Sequence, residues 1–130
     1  MLEVKIFTLY PDLFPGPLDM GIYKKAKENK IWDLKVINIR DYTTDGRGSV
    51  DDTPFGGGSG MLLRPDIVAS ALDKNTKPGE KIVFLSPKGR KFDQREARSI
   101  SKVNKVNILC GHFEGIDQRL LETRNIEEYS

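Results

Sequence analysis

Apolar positions along the chain follow two rhythms. In residues 2–9 they alternate: Leu2, Val4 and Ile6 line one face, and Phe7 and Leu9 part of the other, which predicts a strand. Pro11, Pro15, Gly16 and Pro17 then mark a loop. From Leu18 the spacing turns helical, with Leu18, Ile22 and Ala26 on one face and lysines opposite. Residues 32–39 read as a second strand with few charges. Residues 40–60 carry no clear period, and an irregular stretch of that length inside one domain points to function or disorder. Pro65 and Asp66 suit a helix start, followed by Ile67, Val68, Ala71 and Leu72.

Residues 81–86 predict a third strand. Ile82, Val83, Phe84 and Leu85 form an unbroken apolar run, as expected where both faces of a parallel sheet are covered. A turn at 86–89 follows, and Asp93 with Glu96 then makes a D-x-x-E capping pattern for the next helix. Residues 106–110 predict a fourth strand and 111–115 a loop. Asp117 caps a last helix running through Leu120 and Leu121. The order is strand, helix, strand, long loop, helix, strand, helix, strand, helix. That alternation predicts an α/β fold, a mostly parallel sheet with helices on both faces. Ligands in such sheets bind beyond the carboxyl ends of the strands. The turns at 86–89 and 111–115 both lie at that edge, after consecutive strands.

Composition narrows the picture. A chain of 130 residues suits one domain, and 38% hydrophobic residues suffice for a packed interior. The formal net charge of +2 does not single out a nucleic-acid binder. The one cysteine, Cys110, lies in an apolar run and reads as a buried structural thiol. No Cys-based metal site is available, and no metal is expected. No leader is visible and no apolar run approaches the roughly 20 residues that span a bilayer, so the expectation is a cytoplasmic protein without membrane contact.

Three glycine-bearing loops carry the candidate chemistry, and together they suit a nucleotide-like cofactor. Pro54-Phe55-Gly56-Gly57-Gly58-Ser59-Gly60 permits close backbone approach to a ligand, or is simply a flexible loop. It is not a P-loop, because no Gly-Lys-Ser/Thr ends it, and it lacks the dinucleotide fingerprint. Leu85-Ser86-Pro87-Lys88-Gly89 is an ordinary turn or a stretch of exposed backbone able to read a base edge. Cys110-Gly111-His112-Phe113-Glu114-Gly115-Ile116-Asp117 brackets a histidine, an aromatic and a carboxylate between glycines. Glu114 is a substrate- or cofactor-facing carboxylate or a solvated loop charge. Lys88, Arg90, Lys91, Arg95, Arg98 and Lys102 cluster nearby, as a solvated face or as phosphate contacts.

Taken together, these loops resemble the TrmD family, the bacterial tRNA (guanine-N1)-methyltransferases. The likeness runs through Val50-Asp51-Asp52-Thr53 into the glycine cluster, through the turns after Leu85 and Leu109, through Ile6-Phe7-Thr8-Leu9-Tyr10-Pro11-Asp12-Leu13-Phe14, and through Asn38-Ile39-Arg40-Asp41-Tyr42. It covers almost the whole chain in the family's order.

The resemblance implies a SPOUT-type domain whose C-terminal part is tied in a trefoil knot, incomplete within 130 residues. It implies homodimers that bind S-adenosyl-L-methionine and methylate N1 of the guanosine immediately 3′ of the tRNA anticodon. Phe84, Leu85, Ser86, Pro87 and Gly89 are then expected to line the adenosine pocket. Gly111, Phe113, Glu114 and Gly115 form the second cofactor loop, with Glu114 the candidate catalytic carboxylate. Pro54, Phe55, Gly56 and Gly57 close over the cofactor. His112 stands where the family commonly has Arg, and Lys88 where Gln is common. The residues end where the family continues into a third cofactor loop, a linker bearing the proposed general base, and a helical tRNA-gripping domain. The expectation is therefore a partial N-terminal domain, inactive by itself. Two other readings compete: a different SPOUT methyltransferase, and a nucleotide-binding module without catalysis.

Overall fold

The computed structural model describes residues 1–43, 51–52, 62–111 and 117–130, with backbone alone at 51–52 and 62–63. Its centre is a five-stranded sheet built from β1 (Leu2–Thr8), β2 (Trp32–Asn38), β5 (Lys81–Arg90), β6 (Lys105–Leu109) and β7 (Glu127–Tyr129). The order is β2-β1-β6-β5-β7 and every pairing is parallel. Two two-residue strands, β3 (Asp51–Asp52) and β4 (Leu62–Leu63), form a separate antiparallel pair.

Alternation along the strands sorts the apolar residues onto two faces. Phe7, Leu9, Ile82, Phe84 and Leu109 join Ile67, Val68 and Leu72 of α2 (Pro65–Asn75) and Leu120 and Leu121 of α4 (Gln118–Thr123). On the opposite face Val83, Val106 and Tyr129 pack with Leu2, Val4 and Ile108, covered by Ile100 of α3 (Gln94–Ser101) and by Val103. Helices therefore cover both faces, as the pattern predicts. Burying each large apolar side chain contributes about 1.5–3 kcal/mol, which makes the two-sided core the main source of stability.

The local start signals are realised. Pro65 opens α2. Asp93 accepts a hydrogen bond from the Glu96 N–H at 3.0 Å, and Asp117 accepts one from the Arg119 N–H at 2.8 Å. The Asp93 cap is half a capping box, because the Glu96 carboxylate turns away to accept from the Tyr129 hydroxyl instead.

Three elements differ from the sequence reading. First, α1 spans Gly21–Glu28, and Leu18 belongs to a preceding 3-10 turn, Gly16–Asp19. Gly21 sits at φ +58°, which breaks the face that Leu18, Ile22 and Ala26 would share, and Ile22 is 77% exposed. Second, β5 does not end at Ser86 but resumes at Arg90. Third, β7 adds an edge strand that periodicity does not announce.

Candidate functional site

The carboxyl edge of the sheet places the two predicted turns side by side. The register pairs Phe84 with Leu109, so residues 85–89 and 110–111 leave adjacent strands together. Cys110 continues this edge by donating its N–H to the Phe7 carbonyl at 2.9 Å. Its thiol is half-buried, and burial pushes its pKa up, so it stays protonated and unreactive at neutral pH.

The β5 turn is clamped at its base. Leu85 pairs with Tyr129, the chain makes an excursion, and Arg90 then pairs with the same Tyr129. Within the excursion Ser86 Oγ accepts from the Lys88 N–H at 3.0 Å, a local turn bond. A Cβ on Gly89 would lie 2.5 Å from the Tyr129 backbone nitrogen and carbonyl carbon. Glycine is needed there so that β7 can approach. The Ser130 N–H donates to the Arg90 carbonyl at 2.7 Å, and the Phe92 N–H to the Ser130 carbonyl at 3.1 Å.

Tyr129 itself is fully buried among charges. Arg90 Nη2 donates to its hydroxyl at 2.9 Å, and the hydroxyl faces Glu96 and Glu127 carboxylate oxygens, each at 3.1 Å. Lys81 pairs with Glu127 at 2.7 Å. The Lys81 hydrogen bond holds the Glu127 carboxyl below the usual carboxylate range, against the opposing pull of partial burial. Burial and the two carboxylate acceptors push the Tyr129 pKa up. Phe92 meets the Tyr129 ring edge-on at 5.5 Å. Tyr129 is the residue that sequence reasoning missed. Its only local signal is an aromatic after two glutamates.

The turn after β6 is described only at its first residue, Gly111. Gly111 is exposed, and a Cβ there would lie 2.9 Å from the tip of the Phe84 ring. Phe84 is 3% exposed, whereas Leu85 is 55% exposed and Pro87 is also exposed. Gly111 thus lies against the buried Phe84 ring, and Leu85, next along β5, is exposed at the same carboxyl edge. Of the predicted site residues, Phe84, Leu85, Ser86, Pro87, Gly89 and Gly111 thus come to one edge. Gly89 differs from the others in facing β7. His112, Phe113, Glu114, Gly115, Pro54, Phe55, Gly56 and Gly57 lie outside the described residues.

A cavity of about 730 Å³ lies elsewhere, at the amino edge where β5 and β7 begin. Its charged lining is balanced, with Asp73, Glu80 and Glu127 against Lys77, Lys81 and Arg124. Arg124 is further tied to Asp73 at 2.8 Å. Mutually paired charges leave little to recognise an ionic ligand, so cavity size does not locate the site here. Among the described residues no helix is long and apolar enough to cross a membrane.

Comparison with known proteins adds to this geometry. A family profile described as tRNA (Guanine-1)-methyltransferase TrmD matches residues 2–130. A protein of Pelagibacter ubique (strain HTCC1062), named tRNA (guanine-N(1)-)-methyltransferase, is 62% identical over 130 residues, covering all of this chain and 57% of the relative. Relatives of the same name from Wolbachia pipientis subsp. Culex pipiens (strain wPip) and Rhodospirillum rubrum are 42% and 41% identical. They are covered over 56% and 54% of their lengths, and they align with 98% and 99% of this chain. The chain thus spans little more than half the length of these curated relatives.

Proposed function

Because the chain belongs to the TrmD tRNA (guanine-1)-methyltransferase family, we propose that it forms the N-terminal, S-adenosylmethionine-binding part of an enzyme that methylates tRNA. The methylated atom is N1 of the guanosine immediately 3′ of the anticodon. The observation that carries this reading is the pair of turns leaving β5 and β6 together, with Leu85 exposed and Gly111 against the buried Phe84 ring at that edge.

These residues fit the cofactor's chemistry. An adenine ring packs on Leu85 and over the Phe84–Gly111 contact. The backbone of residues 86–89 supplies directional hydrogen bonds to its edge. Phe113, Gly115, Pro54, Phe55, Gly56 and Gly57 complete the wall and cover. When bound, the cofactor supplies an electrophilic methyl group on a sulfonium.

The protein's tasks are alignment and proton handling. Donor and acceptor must lie in line, a proximity effect. N1 of guanine carries a proton at neutral pH, so a carboxylate must accept or stabilise it, and Glu114 is the candidate in this chain. The working unit is a cytoplasmic homodimer with a knotted C-terminal segment.

Isothermal calorimetry with S-adenosylmethionine, with NAD as the contrast ligand, tests the reading. Binding of the first and not the second is expected. Absence of S-adenosylmethionine binding by a protein that contains residues 1–130 and the family's full length would overturn it.

A further inference from the structure

The exposed face of α3 carries Arg95, Arg98, Ser99 and Lys102 at positions i, i+3, i+4 and i+7, one stripe of the helix. Among the described residues these four line a groove of about 510 Å³ with no carboxylate beside them. The neighbouring acids are otherwise engaged: Asp93 caps the helix, Glu96 accepts from Tyr129, and Glu127 holds Lys81. Arg95, Arg98 and Lys102 have no ion pair among the described residues. Exposed Lys91 extends the stripe at the head of the helix.

Helix stability accounts for Arg98 and Lys102, near the C-terminal end of α3, but not for Arg95. Cations three and four residues apart repel one another, and Arg95 lies in the first turn, where the helix dipole disfavours positive charge. The whole chain is only +2, so the stripe is a local excess. At about 1.5 Å per residue the stripe from Arg95 to Lys102 is roughly 10 Å long, about three nucleotide steps of a strand. Phe92, 43% exposed, stands beside its upper end.

We propose that this face of α3 is a docking surface for the phosphodiester backbone of structured RNA, separate from the methyl-transfer pocket. The proposal rests on the function above only in naming tRNA as that RNA. The contact is to phosphates, so it sets affinity and orientation without reading bases.

The test is fluorescence anisotropy of a labelled tRNA transcript with the wild-type protein and the R95Q/R98Q/K102Q variant, from about 50 to about 200 mM salt. The expected result is a loss of about tenfold or more in affinity at low salt, with the log–log salt slope reduced by about 2–3. Titration with S-adenosylmethionine should be unchanged. The R95K/R98K variant, which keeps the charge, should bind tRNA as the wild type does. Unchanged tRNA affinity and slope in the glutamine variant overturn the proposal, as does equal loss in the lysine variant. Displacement of tRNA by polyglutamate at equal charge would assign the face to an acidic protein instead and also overturn it. If the protein binds tRNA through this face but not S-adenosylmethionine, the docking surface stands and the methyltransferase reading falls.

Discussion

The turn after Leu85 and the turn after Leu109 look alike in one dimension, and in the fold they are built for different work. Each ends a buried strand and each relies on a glycine. Gly89 makes room for another piece of main chain, since a Cβ there would strike the Tyr129 backbone at 2.5 Å. Gly111 makes room for a side chain, the tip of the Phe84 ring at 2.9 Å, and is itself exposed. The first turn is therefore closed at its base by β7, whereas Gly111 at the start of the second meets only a side chain. A glycine at the carboxyl edge of a sheet marks close approach, and only the neighbour decides whether the approach is structural or functional.

Substitutions break this contrast in a graded way. The largest effect is expected from Tyr129→Ala, which removes the buried ring that anchors β7 and strands the Arg90 and Glu96 partners. A loss of about 3–5 kcal/mol in urea unfolding is expected. Gly89→Ala follows, because a backbone neighbour cannot swing aside: about 1–3 kcal/mol is expected by the same measurement. A stability equal to wild type would show that β7 is not held against this turn.

Tyr129→Phe keeps the ring and removes only the hydroxyl, so about 1 kcal/mol is expected. Gly111→Ala should cost less than about 1 kcal/mol in stability, since the Phe84 ring tip can tilt. It should nonetheless weaken S-adenosylmethionine in calorimetry. If the alanine destabilises Gly111 as much as Gly89, the two turns are not different in kind.

The smallest effect is in pH. Glu127 has a depressed pKa in the fold, chiefly through the Lys81 hydrogen bond. Its contribution to stability is present above the unfolded value near ~4.3 and is lost as pH falls through the folded value. Glu127→Gln should flatten that acid limb of the unfolding midpoint against pH. On the alkaline side, burial lowers the Lys81 pKa, but its bonds to Glu127 and Tyr129 outweigh this and raise it. The Lys81 contribution is present below its unfolded value and fades as pH rises through the folded one. Partial exposure of both side chains keeps these effects small.

Much of the fold was legible because its signals are local. Period-two alternation in β1 placed Leu2 and Val4 opposite Phe7 and Leu9, as the two core clusters have it. Pro65, Asp93 and Asp117 announced their helix starts through backbone groups only two or three residues away. The sequence put Phe84, Leu85 and Gly111 at strand ends, and the fold brings those ends to one carboxyl edge. Leu18, Ile22 and Ala26 misled, because a positive φ at Gly21 interrupts a face that spacing alone extends. Three-residue β7 was silent. Its partners for Tyr129 lie 39 residues back at Arg90 and 33 back at Glu96.

By itself, then, the sequence determined the α/β class, both faces of the core and family membership, the last because several motifs stand in the family's order along almost the whole chain. The tertiary structure alone decided which glycine faces a side chain, Gly111 against Phe84, and which admits β7, Gly89. It also decided that the neighbouring acids are otherwise engaged while the Arg95–Lys102 stripe faces solvent. Periodicity and capping act over a few residues and are written in order along the chain. A strand edge or a counter-charge comes from whatever distant segment the fold brings near, and that has no one-dimensional signature.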